Sequence, residues 1–547
     1  MLAYEKIKSK PGNMTPGIVP TTLDGMSIEV VDEIIASLKN GSFRFQPGRR
    51  VYIPKANGKK RPLTIAPPRD KLVQEGIRMI LEAIYEHSFE ECSHGFRPNR
   101  SCHSALQFLN QKFRVSSWFI EGDITNCFPS INHEILIDIL KERIKDAKFI
   151  DLIRHSLKTG YFEFRTYTHS LVGTPQGSII SPILANIYLD KLDKFVLELK
   201  KEFDIGTKAS INPEWKSLEN RMYRADNVND KMSIRKKMLL VRSKRAVDPF
   251  FKKLSYVRYA DDWIIGIRGS LQDCVNILEK VNVFLRDVLK LEVSREKTHI
   301  TNIRKEKARF LSTTITKFDH QIHTRKKGRL TRITSDTLRM TAPIKDILKK
   351  LRINGFLRLN KPYPRFIWMQ CSKDEILILY NSVYRGITNY YRFAHNFNQL
   401  SSWLHFIIKS SCAKLLAAKL SLGNQMKVFK KFGRDLKGRD KHGLVEAIYG
   451  TKAAAFNVNT DEVQLKIYGT GISKASLDKL VCTICESEYR VEMHHVRMMK
   501  DLNPKARTLD KIMAKKNRKQ IPLCRSCHVK YQNGSLIIEN ENLSKYF

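Results

Sequence analysis

Several features are scarce in this 547-residue sequence, and each scarcity excludes something. No uninterrupted apolar run reaches the ~18 residues that a membrane-crossing helix needs, so no transmembrane span is expected. Ten cysteines in so long a chain are too few for a disulfide scaffold. No internal repeat or low-complexity tract is present. The opening MLAYEKIKSKPGNMTPG lacks an apolar signal core and carries Glu5 among its cations, so neither a signal peptide nor a clear transit peptide is expected. A protein of this kind acting in an organelle is then expected to be made there. Acid is the scarcest commodity: 55 Asp and Glu face 97 Lys and Arg, a formal charge of +42. Such a surplus repels itself in a compact state and attracts phosphate through counterion release, which makes nucleic acid the leading partner and an anionic membrane the weaker one.

What is present points to a folded protein. Hydrophobic residues make up 42% of the chain, and its length predicts three or four domains. Residues 10 to 70 carry turn punctuation around short apolar alternations, with a helical pattern at Ile28 to Leu38. From about 70 to 300, strand patterns at Ser117 to Ile124, Tyr256 to Ile267 and Leu291 to Val293 alternate with helix patterns at Asp70 to Tyr85, Ile183 to Leu199 and Leu271 to Leu289, an α+β arrangement. Ser181 is placed to cap the second of these helices ahead of Pro182. The charged, weakly periodic stretch between Asp190 and Tyr256 reads as an insertion. Residues 301 to 360 hold 16 Lys or Arg against 4 Asp or Glu, and the helical region after them clusters Tyr380, Tyr384, Tyr390, Tyr391 and Phe393. Cations with interleaved rings suit RNA, whose phosphates need charge and whose unstacked bases need ring faces; the alternative is a solvated face over an aromatic core.

Two constellations carry chemistry. The run Tyr256 to Ile267 places Asp261 and Asp262 between two β-prone stretches, at a hairpin tip, and Asp123 follows the strand-like Trp118 to Gly122. Two divalent metals clamping the oxygens of a phosphoryl transfer need carboxylates from neighbouring strands, and three acids at strand ends can hold two magnesium ions. Near the end, Cys482-Thr-Ile-Cys485 and Cys524-Arg-Ser-Cys527 are thiolate knuckles at the spacing of a tetrahedral structural zinc, with His494, His495 and His528 left over.

These blocks, in order, resemble a known family. Pro11 to Gly17 with Thr22 to Gly25, Arg61-Pro-Leu with Asp70-Lys71, Ser93 to Pro98, Asp123 to Phe128, Gly173 to Gly177, Tyr259 to Asp262 and Lys297-Thr298 look like the reverse transcriptase of group II intron-encoded proteins. Tyr384 to Tyr391 with Lys409, Lys414 and Lys431 resembles their thumb, or maturase, region, and the cysteine and histidine tail resembles their HNH (ββα-metal) endonuclease.

The resemblance implies a right-hand polymerase: fingers and palm with an N-terminal extension at 1–340, a helical thumb and maturase domain at 341–450, a linker or DNA-contacting segment at 451–478 and a small zinc-bound ββα-metal domain at 479–547. Asp123 and Asp261 would ligate two Mg²⁺ with Asp262 beside them, Phe128 would exclude a 2′-hydroxyl, and Gln176 would contact the incoming nucleotide. Arg61, Arg69 and Lys71 would hold the triphosphate, and Lys297 would assist pyrophosphate departure. In the tail, His494 and His528 would bind one divalent ion and His495 would act as general base.

The pattern departs at Gln532, where the family has a third histidine, at Asn517, only near the motif's central asparagine, and at Ser312, where glycine is usual. The implied partners are the host intron RNA, target DNA and deoxynucleoside triphosphates, with no membrane and a homodimer left open. The implied function is intron splicing and mobility by DNA synthesis primed at a nick, in a mitochondrion or alternatively a bacterial cytoplasm. A splicing-only maturase with a decayed nuclease is the competing expectation.

Overall fold

The computed structural model describes the chain apart from residues 9–14, 16, 20, 24–25, 55–57, 59, 164–165, 169–172, 174–176, 242, 246–247, 318–320, 327–328, 335–337, 438–441, 451–455, 458–479, 490, 497–519 and 537–547. Near the N-terminus, β1 (Gly48–Pro54) pairs antiparallel with β2 (Lys60–Ile65), the small strands that the alternating pattern predicts. A second, central sheet contains β3 (Trp118–Asp123). Short strands β4 (Tyr161–Glu163) and β5 (Thr166–Thr168) extend the first sheet in the order β2-β1-β4-β5.

The central sheet is completed by β6 (Lys253–Tyr259), β7 (Asp262–Arg268) and β8 (His299–Asn302), in the order β6-β7-β3-β8. Both faces are covered. Leu254, Tyr256, Trp263, Ile265, Ile267 and Ile120 enter one core with the helices Ser181–Phe203 and Leu271–Asp287, while Phe119, Val257 and Ile264 enter another with the helix Cys102–Lys112. A strand buried on both faces reads as a continuous apolar run, which is why β7 shows Trp263-Ile-Ile rather than strict alternation.

Most predicted elements are present: the helix patterns fall on Ile28–Lys39, Pro68–Tyr85, Ser181–Phe203 and Leu271–Asp287. Two details differ. Leu291 to Val293 forms no strand; it meets the end of β3 through a single bridge, Ile124 to Val293, and the ladder on that edge comes from β8 instead. Ser181 is the first helical residue rather than the cap, because Ile180 occupies that position and Pro182 still sits in the first turn, where no amide is needed.

The second core continues into the helices beyond residue 341. Helices Lys373–Tyr390 and Phe397–Lys419 pack together, with the Tyr380 hydroxyl 2.9 Å from Ser411 Oγ and the Tyr384 hydroxyl 2.6 Å from Ser401 Oγ. Tyr380, Tyr384, Tyr391 and Phe393 are buried, so of the two readings of this aromatic cluster the structure favours core over base-stacking platform for these four. This core also takes in Ala105 to Phe119 and Val257, and therefore spans both sides of residue 340. Of the expected linker at 451–478, only Phe456 and Asn457 are described: Phe456 stacks on Phe393 at 5.0 Å, and the Asn457 amide donates to His103 Nδ1 at 2.9 Å. A third, small core holds Cys482, Ile521, Leu523, Cys524 and Cys527.

Candidate active site and metal-binding centres

The antiparallel register of β3 and β7 sets Asp123 opposite Asp262, and the two-residue turn Ala260-Asp261 joins β6 to β7 with Tyr259 opposite Asp262. Two carboxylates from the neighbouring strands β3 and β7 and a third from the β6–β7 turn therefore meet at one sheet end. Burial pushes the Asp262 carboxyl up to about 7, with Asp123 and Asp261 adding like-charge repulsion. Asp261 is also raised, by burial first and then by Asp123, while Lys297 and Arg61 pull it back. Lys297 Nζ lies 2.6 Å from Asp123 Oδ2, and that bond, with the charges of all three acids, raises the lysine. A cluster whose members oppose each other's ionisation, compensated by one lysine, has the donor chemistry that hard divalent cations take up.

The turn is held from behind by residues that motif reading missed. Arg258 is fully buried and uses its whole guanidinium: Nε and Nη2 reach the two Asp193 oxygens at 2.7 and 2.6 Å, Nη1 reaches Asn186 Oδ1 at 3.1 Å and Ala260 O at 3.0 Å, and Nη2 also reaches Ser93 Oγ at 2.8 Å. Asn186 in turn donates to Gly95 O at 2.7 Å, and Tyr256 Oη to Asp193 Oδ1 at 2.8 Å. The carbonyl just before Asp261 is thus tied to the helix Ser181–Phe203. Gly95 abuts the turn so closely that a Cβ there would lie 2.3 Å from the Ala260 nitrogen. Little in the sequence signals this network: Asp193 lies in a helix that also carries Asp190, Lys191 and Lys194, and of the partners outside the hairpin only Ser93 and Gly95 fall in a motif block.

On the substrate side, Phe128 is half-buried in the short helix Cys127–Ser130, five residues beyond Asp123, with its ring edge-on to Phe96 at 6.2 Å. Gln176 lies outside the described residues, but its flanking glycines do not. Gly173 and Gly177 have φ of +92° and +103°, and a Cβ would lie 2.3 Å from Pro129 O at the first and 2.8 Å from Thr64 O at the second. Gly173 thus abuts the Phe128 helix and Gly177 abuts β2. Among the three candidate cations, Arg61 is exposed on β2 and its charge reaches Asp261. Arg69 instead lies over the Phe43 ring at 4.8 Å. Lys71 Nζ donates to Thr15 O at 2.7 Å, and burial, then Arg49, pushes it down to about 8. Arg49 is a further cation that sequence reasoning did not single out.

At the C-terminus, the strands Val491–His495 and Gln520–Cys524 form an antiparallel pair followed by the helix Arg525–Gln532. The Sγ atoms of Cys482, Cys485, Cys524 and Cys527 all lie within 4.8 Å of one another. A tetrahedral zinc with bonds of about 2.3 Å needs sulfurs about 3.8 Å apart, so the four fit that ion. Burial pushes the Cys482 thiol up, but amides of Cys485, Cys524 and Ile484 more than offset this and leave it at about 7, whereas Cys485 and Cys527 are raised, so among these three Cys482 gives up its proton first. His494 Nδ1 and His528 Nε2 are 2.9 Å apart, Gln532 Nε2 is 3.2 Å from the same His528 nitrogen, and Glu492 meets His528 Nδ1 at 3.3 Å. The amide at 532 therefore stands beside the two imidazoles, one helical turn after His528. His495, next along the strand, contacts the Gln520 amide at 3.0 Å. Asn517 lies outside the described residues.

The sheet with its three acids defines a polymerase of the reverse transcriptase class. The reverse transcriptase (RNA-dependent DNA polymerase) family model matches residues 53–315, the type II intron maturase model residues 335–479, and the AI2M/AI1M-like HNH endonuclease model residues 481–528. The chain is 37% identical to the group II intron-encoded protein LtrA of Lactococcus lactis subsp. cremoris, over 96% of this chain and 92% of that one. It is 46% identical to an uncharacterized 91 kDa protein in the cob intron of Schizosaccharomyces pombe, over 99% of this chain and 69% of that one. A putative COX1/OXI3 intron 2 protein of Saccharomyces cerevisiae is 37% identical over 98% of this chain, which spans 65% of it. The chain belongs to the group II intron-encoded proteins, with reverse transcriptase, maturase and HNH endonuclease regions in that order.

Proposed function

We propose that this chain copies its host intron RNA into DNA from a primer end produced by its own C-terminal domain, and that it grips the intron RNA to assist splicing. The observation that carries the polymerase half is the pairing of Asp123 with Asp262 across the sheet, with Asp261 at the adjoining turn. In this reading the sheet forms a palm, β1 and β2 belong to fingers, and the helices from 373 onward form a thumb. Asp123 and Asp261 hold two Mg²⁺, with Asp262 beside them; when bound, these ions activate the primer hydroxyl and stabilise the leaving pyrophosphate. Phe128 closes the space beneath the sugar against a 2′-hydroxyl, Gln176 contacts the nucleotide, and Arg61 faces the triphosphate. Lys297, beside Asp123, is placed to give a proton to departing pyrophosphate.

Four cysteines hold a structural zinc, and His494 with His528 and the Gln532 amide form a divalent site beside which His495 draws a proton from water. Organelle synthesis in a mitochondrion accords with the fungal intron relatives, and the Lactococcus relative is equally compatible with a bacterial cytoplasm. A second reading, in which the nuclease has decayed, is favoured by the missing third imidazole.

The test pairs two assays on purified protein. DNA-primed extension on an RNA template should require divalent metal, and plasmid nicking by the native chain should increase about tenfold or more in Gln532→His, because an imidazole binds borderline cations better than an amide does. No extension with Mg²⁺ would sink the polymerase reading, and extension undiminished by excess chelator would sink the two-metal site. No nicking in either protein would establish the decayed nuclease.

A further inference from the structure

The stretch between Ile205 and Lys252 leaves the polymerase fold and returns to it at nearly the same place. Ile205 pairs with Lys252 and Ile211 with Lys244, the Asn212 amide donates to Ser243 O at 2.9 Å, and the Arg245 amide to Ser210 O at 3.1 Å. Asp248 closes this stalk by accepting from the Ser210 amide at 2.6 Å. Beyond it stand two helices, Pro213–Arg224 and Val228–Leu240, each capped by an asparagine, Asn212 and Asn227, and packed on each other. Neither joins a core of the protein: the first helix buries no residue and the second buries Met238 alone. A helical hairpin that contributes nothing to a core, yet is anchored by a paired stalk, needs another reason to be ordered.

Charge supplies that reason. From Ile205 to Arg245 there are 11 Lys or Arg and 4 Asp or Glu, a net of +7 over 41 residues, more than twice the density that +42 over 547 residues gives. Arg221 and Arg224, three apart, share one side of the first helix, and Lys231 and Arg235, four apart, share one side of the second. All four are exposed, and among the described residues none of them has an ion pair, whereas Lys216 meets Glu219 at 3.5 Å. Tyr223, between the two arginines, is 76% exposed. The apolar residues of the second helix do not keep to one stripe, Met232 and Ile234 being two apart and so on nearly opposite sides, and they form no continuous face of the kind a partner helix or second copy would need.

We propose that this arm is an RNA-docking element that grips the phosphate backbone of folded RNA outside the template channel, with Arg221, Arg224, Lys231 and Arg235 as its phosphate contacts and Tyr223 as a ring for a sugar or base. The inference rests on the reading of the chain as a binder of folded intron RNA. It adds a separable grip for that RNA, independent of the acids and of the maturase helices.

The test uses the full chain with Arg221, Arg224, Lys231 and Arg235 all changed to Gln, which keeps helix propensity, and a second variant in which residues 213–242 are replaced by a Gly-Ser turn. Asn212 and Ser243 are already hydrogen-bonded, so the stalk can close without the arm. Probes are a multi-helix group II intron transcript and a short unstructured RNA template with a DNA primer. Both variants should bind the transcript at least tenfold more weakly at 150 mM salt. The quadruple variant should lose about 3 from the slope of log affinity against log salt, since each phosphate contact is worth about 0.7 to 0.9. Extension on the short template should stay within about twofold of the unaltered protein, which separates this proposal from the polymerase reading. Unchanged transcript affinity and slope in either variant would overturn the proposal. So would a loss of self-association with RNA binding intact, or an equal loss on both probes.

Discussion

At the scale of single residues, the polymerase centre depends on charges that motifs do not advertise. Arg258 and Asp193 are both fully buried, and their pair ties the carbonyl of Ala260 to a helix behind the sheet. Removing one partner leaves the other charged in an apolar setting, so Arg258→Met should cost about 3–5 kcal/mol in denaturant unfolding, while Arg258→Met with Asp193→Leu should recover much of it. A single substitution within about 1 kcal/mol of the parent would show that the pair does not hold the turn. His94 makes a second, pH-dependent case. Its Nδ1 meets Ser104 Oγ at 2.8 Å, its Nε2 is buried with no hydrogen-bond partner among the described residues, and burial, then Arg100, Arg97 and Arg258, pushes its pKa down to about 3. An unfolded histidine takes its proton near 6.5, so neutral His94 costs the fold nothing above that pH. Its share of stability is lost as pH falls from about 6.5 toward 3, at up to about 1.4 kcal/mol per unit. Urea midpoints of His94→Asn against the parent at pH 7, 6 and 5 should diverge in the variant's favour on the acid side; parallel curves would refute the assignment.

At the scale of elements, turns decide more than strands. β9 (Ala308–Phe310) and β10 (Thr313–Lys317) are joined by Leu311-Ser312, both left-handed, with φ of +46° and +55°. This is the position where the family has glycine, and the structure shows why: two consecutive left-handed residues favour a residue without a Cβ. The turn is pinned from the maturase helix by Tyr390 Oη on Leu311 O at 2.7 Å and Tyr391 Oη on Ser312 O at 3.0 Å, and the Leu311 amide meets Asp262. Ser312→Gly should therefore raise stability by about 1 kcal/mol, seen as a higher melting temperature, through relief of left-handed strain. A lower melting temperature would mean that the serine makes a compensating contact.

The same elements show how far the sequence can be read. The Tyr256 to Ile267 hairpin was legible because turn-forming acids sit between apolar runs. β8 was not, because His299-Ile-Thr-Asn is too short and polar to stand out, and it pairs only because β3 offers an edge. The Arg258 network was illegible because, Ala260 apart, its bonded partners lie between 63 and 165 residues apart in sequence, a distance no local pattern reports.

At the scale of the molecule, two large cores meet at the central sheet, one closed by the helices behind it and the other shared with the maturase helices. Charge and motif order announced the functional class; of the two readings open for the aromatic cluster, Tyr380, Tyr384, Tyr391 and Phe393 follow the core one, beside the Tyr256 to Ile267 hairpin. The four-cysteine cluster of the tail could be read because its members come in local pairs three residues apart; its histidines needed the fold to show His494 and His528 side by side.

The central claim is that Asp123, Asp261 and Asp262 act together on one reacting phosphate. It is tested most directly by single-nucleotide incorporation on a preformed RNA–DNA primer–template with saturating Mg²⁺, comparing the parent with Asp261→Ala. The account predicts a rate about 10²- to 10³-fold lower with primer–template affinity unchanged, since loss of preorganised charge stabilisation at one position is worth about that much. An Asp261→Ala protein that incorporates nucleotide within tenfold of the parent would contradict it.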